Sequence, residues 1–292
     1  VNFHPEVKQA LGEGRAVVAL ESTVITHGLP RPMNLELAQS LEQTVRSEGA
    51  VPATIGIIEG EIWVGLTSAQ LESVAADSSA DKASLWNLGA IVAQKRSAGT
   101  TVATTAFLGH KAGISVFATG GIGGVHPHPF DESADLIELS RTPMLVVCAG
   151  AKSILDLPAT LERLESYGVG LIGYRTDTLP AFHTRQSPFR LPARVETPAQ
   201  AAQVLKASRS LGLPGATLVL NPVSEGLDYT RVQSWVEQAN RDAAEAGIKG
   251  KALTPFLLRK LSELSGGQTD TVNLRLLREN AALAGQIAAA LD

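Results

Sequence analysis

The sequence predicts an α/β protein: a three-layer α/β/α sandwich around a largely parallel sheet, built as a single domain over residues 1–292. Two features of pattern point there. Short apolar runs alternate with segments of helical period, and no Pro-, Gly- or Ser-rich linker divides the chain. The third is size, since 292 residues of which 44% are hydrophobic suffice to bury a substantial core.

Each element follows from local pattern. Residues 16–20 (AVVAL) read as a buried strand leading into Glu21. Residues 33–48 read as a helix, because Leu37, Leu41 and Val45 recur four apart. Residues 53–59 and 61–66 form a hairpin pattern around Gly60. The alanine-rich stretch 88–113 reads as mostly helical, interrupted near GTTVATT. Residues 114–118 form a strand running into TGGIGG, and residues 144–148 a strand running into AGAK. A helix at 153–166, a strand at 169–174, a helix at 199–211 and a strand at 216–220 continue the alternation. From Val232 the residues Trp235, Val236, Ala239 and Ala243 keep helical spacing. Residues 271–291 close as a helix with Asn273, Leu277 and Asn280 on one face. PRP at 30–32 and HPHP at 126–129 read as tight turns.

Composition removes several classes. With 18% charged residues and ordinary apolar content the chain is no disordered polymer. A net charge of −4 offers no broad basic surface for nucleic acid. One cysteine, Cys148, excludes an intrachain disulfide framework and fits a reducing compartment. Residues 1–15 carry acids and lack the apolar stretch of a signal peptide, and no apolar run approaches the roughly 20 residues that span a bilayer. The expectation is a soluble, cytoplasmic protein without nucleic-acid or membrane partners.

In open α/β sheets ligands collect beyond the carboxyl ends of strands. Three strand ends run into unusual sequence: AVVAL before Glu21, VFA before TGGIGG, and LVVC before AGAK. Their convergence on one cleft is the main pointer to chemistry.

Lys152 follows a strand and a small-residue turn and opens the expected helix at Ser153. A helix N-terminus disfavours a cation by about 0.3–1 kcal/mol, which with partial burial lowers an amine's pKa and favours nucleophilic use. The alternative is a solvated lysine in an exposed first turn. Glu21, at the mouth of an apolar strand, has its pKa raised by desolvation and suits a proton donor. The alternative there is a salt-bridged or turn-capping acid.

TGGIGG, residues 119–124, exposes backbone N–H groups suited to an anion. It is neither a P-loop nor a dinucleotide fingerprint, since His126 takes the third glycine's place counted from Gly121. The plain alternative is a turn without a ligand. Asp131-Glu132-Ser133-Ala134-Asp135 offers oxygen ligands at alternate positions for a hard divalent cation or for sugar hydroxyls, or else a helix start capped by Asp131. His126 and His128 lack the cysteine partners of a structural zinc site, and no G-x-S-x-G nucleophile elbow is present.

Longer strings resemble one family. ALESTVITHG with LPRPMN, GAVPATIGIIEG, VFATGGIGGVH, D-x-S-A-D-L, VVCAGAKSILDL and TPFLL, in register from about Pro5 to the C-terminal helix, resemble the pseudouridine-5'-phosphate glycosidases. The indigoidine synthase A-like proteins share this pattern. The resemblance implies reversible cleavage of pseudouridine 5'-phosphate with water to uracil and ribose 5-phosphate. It implies that Glu21 is the proton donor and Lys152 the covalent nucleophile. It also implies one Mn2+ per subunit on Asp131, with substrate contacts at Lys82, Val102, Thr119, Ser133, Ala134, Asp135 and Asn273. A homotrimer with an α/β/α fold is implied as well. HPHPF replaces a longer run before D-x-S-A-D-L, and DKASLWNL follows a short deletion around Lys82.

The chemistry gives the lysine a purpose. Pseudouridine joins base and sugar through carbon, so no leaving oxygen or nitrogen exists to protonate, unlike an ordinary glycoside. Two other readings remain open at this level. One is an accessory enzyme of pigment biosynthesis acting on another ribosyl phosphate. The other is a non-catalytic nucleotide-binding module built on TGGIGG.

Overall fold

The computed structural model describes residues 1–127 and 131–291, with the backbone alone at Lys251. His128, Pro129 and Phe130, and with them most of the HPHP turn and the His126–His128 pair, lie outside the described residues.

The chain begins with β1 (Asn2–Phe3) and α1 (Pro5–Gly12), where proline takes the first helical position and loses no intrahelical bond. β2 (Val17–Leu20) is followed by one π-helical turn, Val24–Gly28, and by α2 (Met33–Ser47). β3 (Val51–Ile58) and β4 (Glu61–Val64) form the expected antiparallel hairpin through Glu59-Gly60, both at positive φ. Next come α3 (Ser68–Ala76), β5 (Asp81–Ala83), α4 (Leu85–Ala93), β6 (Ala98–Thr100) and α5 (Val102–Lys111). The second half holds β7 (Val116–Ala118), α6 (Ala134–Leu139), β8 (Leu145–Cys148), α7 (Leu157–Ser166), β9 (Gly170–Tyr174) and β10 (Arg194–Val195). α8 (Pro198–Ser210), β11 (Thr217–Leu220), α9 (Tyr229–Glu245), α10 (Leu253–Ser265) and α11 (Gln268–Ala289) complete it.

The strands form one sheet in the order β1-β4-β3-β2-β7-β8-β11-β9-β10. Every pairing from β3 through β10 along this path is parallel, whereas β3 meets β4 and β6 antiparallel. Side chains alternate between two buried faces. Val17, Ala19, Phe117, Val146, Cys148, Leu218 and Leu220 pack under α1, α5, α6, α7, α9 and α10. Val18, Leu20, Val116, Ala118, Leu145, Val147 and Val219 pack under α2, α8 and α11. Burial on both faces is why these strands read as unbroken apolar runs. Each fully buried Leu, Ile or Phe contributes about 1.5–3 kcal/mol through the hydrophobic effect. Among the described residues no helix is long and apolar enough to cross a membrane.

One expectation is sharpened and one corrected. The stretch at 88–113 is mostly helical, and its expected interruption near GTTVATT is the strand β6, held in the sheet by β3 and β5 on either side. Its three residues, Ala98, Gly99 and Thr100, carry no strand pattern, so pairing overrides local preference. The helix expected to open at Ser153 begins instead at Leu157, capped by Asp156, whose side chain accepts from the Ala159 N–H at 3.0 Å. The physical reason is Pro158. Without an N–H, proline is tolerated in a helix's first turn but breaks an interior one. Lys152 therefore lies in a turn before the helix, and the macrodipole argument for its reactivity falls away.

Candidate active site

Topology creates the crevice. β2, β7 and β8 are consecutive, with Leu20 beside Ala118 and Ala118 beside Val147. The chain leaving β2 enters α2 on one face of the sheet, while the chain leaving β7 enters α6 on the other. Parallel sheets open a cleft at such a switch point, beyond the carboxyl ends of the two strands. Glu21, Thr119 and, one strand over, Lys152 follow those ends, so the three strand ends do meet.

The local sequence pins each group. After β2, the buried Ser22 hydroxyl donates to the Ile55 carbonyl at 2.6 Å and accepts from the Thr100 N–H at 2.9 Å, which fixes the backbone carrying Glu21. The Thr119 hydroxyl donates to Glu21 Oε1. The Lys152 N–H donates to the Ile122 carbonyl at 3.1 Å, and Ile122 bridges to Ala151, so the TGGIGG loop and the AGAK turn run side by side.

Charge is concentrated here. Desolvation raises the pKa of the Glu21 carboxyl; the charge of Lys152 and the Thr119 hydrogen bond work against the rise, and Asp135 adds to it. Glu21 thus keeps its proton to higher pH than an ordinary glutamate, as its place at the mouth of an apolar strand implied. Lys82, on β5, shows its side to solvent, yet enough protein surrounds its ammonium for desolvation to lower its pKa. Repulsion from Lys152 is the second cause, with Asp135 and Glu21 opposing. Glu21, Lys82, Asp135 and Lys152 therefore act on one another within one cleft.

Asp135 is a clasp. Buried, it accepts from the Ala103 N–H through Oδ1 at 2.9 Å and from the Gly123 N–H through Oδ2 at 2.7 Å. It ties the start of α5 to the glycine loop. A Cβ on Gly123 would lie 2.3 Å from Ser133 Oγ and 2.9 Å from Asp135 Oδ2, so only glycine fits there. Ser133 caps α6, its hydroxyl accepting from the Asp135 N–H at 3.2 Å, and Ala134 is that helix's first residue. The cap expected at Asp131 is thus at Ser133, because the helix starts two residues later. At α5, Ala103, Thr104 and Thr105 donate to Asp135, to the Thr101 hydroxyl and to the Thr101 carbonyl. Among the described residues this leaves the Val102 N–H without an acceptor at the helix start. Val102's side chain is buried, so a ligand can meet only its main chain.

Two other expected residues are not tied to this cluster by any hydrogen bond among the described residues. Asn273 is half-buried on α11, and no hydrogen bond among the described residues joins it to Glu21 or Lys152. Asp131 is half-buried, its carbonyl accepting from the His126 N–H at 2.9 Å. Among the described residues no three His, Cys, Asp or Glu side chains converge to cage a metal. Asp131 fits a divalent ion only in the sparsely liganded mode, in which one carboxylate, waters and a phosphate fill the shell.

Asn280, which the sequence marks only as a member of the helix face, does structural work for the site. Fully buried, it donates to the carbonyls of Thr119 at 2.8 Å and Gly120 at 3.3 Å and accepts from Asn221 Nδ2 at 3.0 Å. A second asparagine seven positions after Asn273, on a face that also carries Leu277, is the available signal. Asn280→Ala is expected to lower stability by about 1–3 kcal/mol, because it takes the side-chain donor from the buried Thr119 carbonyl, while the Gly120 carbonyl keeps the Ala149 N–H. Urea unfolding measures this.

Fold and site together define the class: an α/β protein whose acid and lysines gather at a strand-end switch point. The family model for indigoidine synthase A like protein matches residues 6–290. The chain belongs to the indigoidine synthase A-like family. It is 64% identical, over 94% of its length and 97% of the relative's, to a pseudouridine-5'-phosphate glycosidase of Thermus thermophilus. A protein of the same name from Symbiobacterium thermophilum is 49% identical over 100% of this chain and 97% of its own. Two crystal structures share the fold. An indigoidine synthase A-like protein from Thermotoga maritima has a TM-score of 0.90 at 38% identity, covering 99% of this chain and 95% of that one. Prealnumycin C-glycosynthase AlnA in complex with ribulose 5-phosphate has a TM-score of 0.92 at 39% identity, covering 99% and 96%.

Proposed function

We propose that the chain is a pseudouridine-5'-phosphate glycosidase, cleaving the C–C bond between uracil and ribose 5-phosphate, reversibly, with water. The observation that carries this reading is the desolvated Glu21 sharing a cleft with Lys152, on a chain similar over nearly its full length to proteins of that name.

The roles follow from the chemistry. Glu21 gives its proton to the ribose ring oxygen as the C1'–O bond breaks, and the ring opens. The Lys152 nitrogen lone pair adds to C1', and the extra proton on that nitrogen passes to the Glu21 carboxylate, which frees a lone pair again. The nitrogen lone pair then forms a C1'=N imine as the bonding pair between C1' and uracil C5 stays with the base, which takes a proton. Water hydrolyses the imine, returning the lysine and releasing ribose 5-phosphate. Lys82 and the Val102 N–H supply positive charge and a hydrogen-bond donor for the phosphorylated sugar. Thr119 holds the acid in place, while Ser133, Ala134 and Asp135 form the wall of the sugar pocket, and Asn273 adds a substrate contact. Mn2+ on Asp131 would neutralise phosphate charge. Dialysis against a chelator should lower turnover, and added Mn2+ should restore it in the parent protein but not in Asp131→Ala. The assembly is proposed as a homotrimer in the cytoplasm.

The test is uracil release from pseudouridine 5'-phosphate compared with uridine 5'-phosphate. Release from the first alone supports the reading; release from neither overturns it. AlnA, by its name a C-glycosynthase, keeps a second reading alive, in which another C-glycosyl ribose phosphate is the substrate.

A further inference from the structure

We propose that His183 is a positioning residue that, through Ser153, sets the direction of the Lys152 amine. This rests on the reading of Lys152 as the nucleophile. The turn after β8 is closed by the Leu155 N–H donating to the Lys152 carbonyl at 3.0 Å, so Ser153 and Ile154 form its tip. Ser153 is 1% exposed, and its hydroxyl shares a 2.9 Å hydrogen bond with His183 Nδ1. His183 is itself only 2% exposed and comes from the long segment between β9 and β10, 30 residues further on.

That segment is built as a support for the lysine turn. The Phe182 N–H donates to the Ala149 carbonyl at 2.9 Å, just before the turn. Gly150 has φ 88°, and a Cβ there would lie 2.1 Å from the Pro180 carbonyl oxygen, so the two backbones touch. Ala181 and Thr184 hydrogen-bond each other across the bend that carries Phe182 and His183. The Phe182 ring meets His183 edge-on, with centroids 4.8 Å apart, and the Leu227 N–H donates to the His183 carbonyl at 2.8 Å. Held on its main chain and ring face, the imidazole has one orientation in which to meet Ser153. Burial pushes the His183 pKa down to about 3, so the ring stays neutral across any ordinary assay. Its contribution is a fixed hydrogen bond, not a proton transfer. Lys152 is the next residue in the chain from Ser153, and a turn tip that rotates carries the amine off the line to C1'.

The experiment follows borohydride trapping of ribose 5-phosphate on Lys152, in the parent protein, His183→Leu, His183→Asn and Ser153→Ala. The parent should form the adduct. His183→Leu and Ser153→Ala should trap about tenfold to a hundredfold more slowly, as small misplacements of a reacting group do. The sugar-phosphate concentration at half-maximal rate should stay within about twofold, since the phosphate contacts are untouched. Asn, whose amide stands close to where Nδ1 was, should recover most of the rate. The double variant Ser153→Ala/His183→Leu should be no slower than the slower single one, because both remove the same link. Should His183→Leu not fold, Ser153→Ala carries the comparison alone. A folded Ser153→Ala or His183→Leu protein that traps at the parental rate overturns the proposal by itself. A parent protein that traps no sugar overturns the lysine reading and the proposal with it.

Discussion

Lys152→Ala is expected to lower uracil release by about 10⁴-fold or more, because it removes the amine that forms the imine. The borohydride adduct with ribose 5-phosphate should vanish in the same protein, while circular dichroism and the unfolding midpoint stay close to parental values. The side chain is only half-buried and caps no helix. Lys152→Arg should fail equally, since a guanidinium holds its charge at every accessible pH and cannot attack. Peptide mapping of the trapped parent protein locates the adduct. A label on Lys82 instead would exchange the roles of the two amines.

Glu21→Gln is the second large effect. Loss of a general acid costs about 10²–10⁴-fold, and the form of the pH profile adds a stricter check. A donor works only while protonated, so the parental rate should hold up to the raised pKa of Glu21 and fall above it. In Glu21→Gln that alkaline fall should disappear from the residual rate. Stability should move the other way. The folded protein binds this proton more tightly than the unfolded chain. The contribution is therefore complete below the ordinary carboxylate pKa and is lost as pH rises through the folded value. Glutamine keeps an acceptor for the Thr119 hydroxyl and carries no charge. The variant should therefore be at least as stable as its parent at neutral pH, as measured by thermal melting at two pH values. An acid held in a desolvated cleft for chemistry is a strain that the amide removes.

Much of this architecture is legible in the residues. AVVAL, IGII, LVVC and TLVL are buried on both faces, and such strands advertise themselves as unbroken apolar runs. Glu21 and Thr119 could be placed because each directly follows a strand, and Lys152 because only the short AGA turn separates it from LVVC. What escaped was set by context. β6 is a strand because β3 and β5 flank it, and α7 starts late because a single proline outweighs the helical period around it. His183 sits in a segment of turns without periodicity, where sequence spacing says nothing about which distant hydroxyl it meets. Asn280 was visible as a second asparagine on the face that also carries Leu277, but its two backbone carbonyls belong to a loop some 160 positions away.

The seam between β2 and β7 also bears on how the molecule acquires its shape. Three residue pairs, Val18–Val116, Ala19–Phe117 and Leu20–Ala118, register it. Joining them closes a loop of nearly one hundred residues, an entropic toll that local helices never face. Refolding should therefore bring the two halves of the sheet together late, and enzymatic competence should return only with that last, long-range docking.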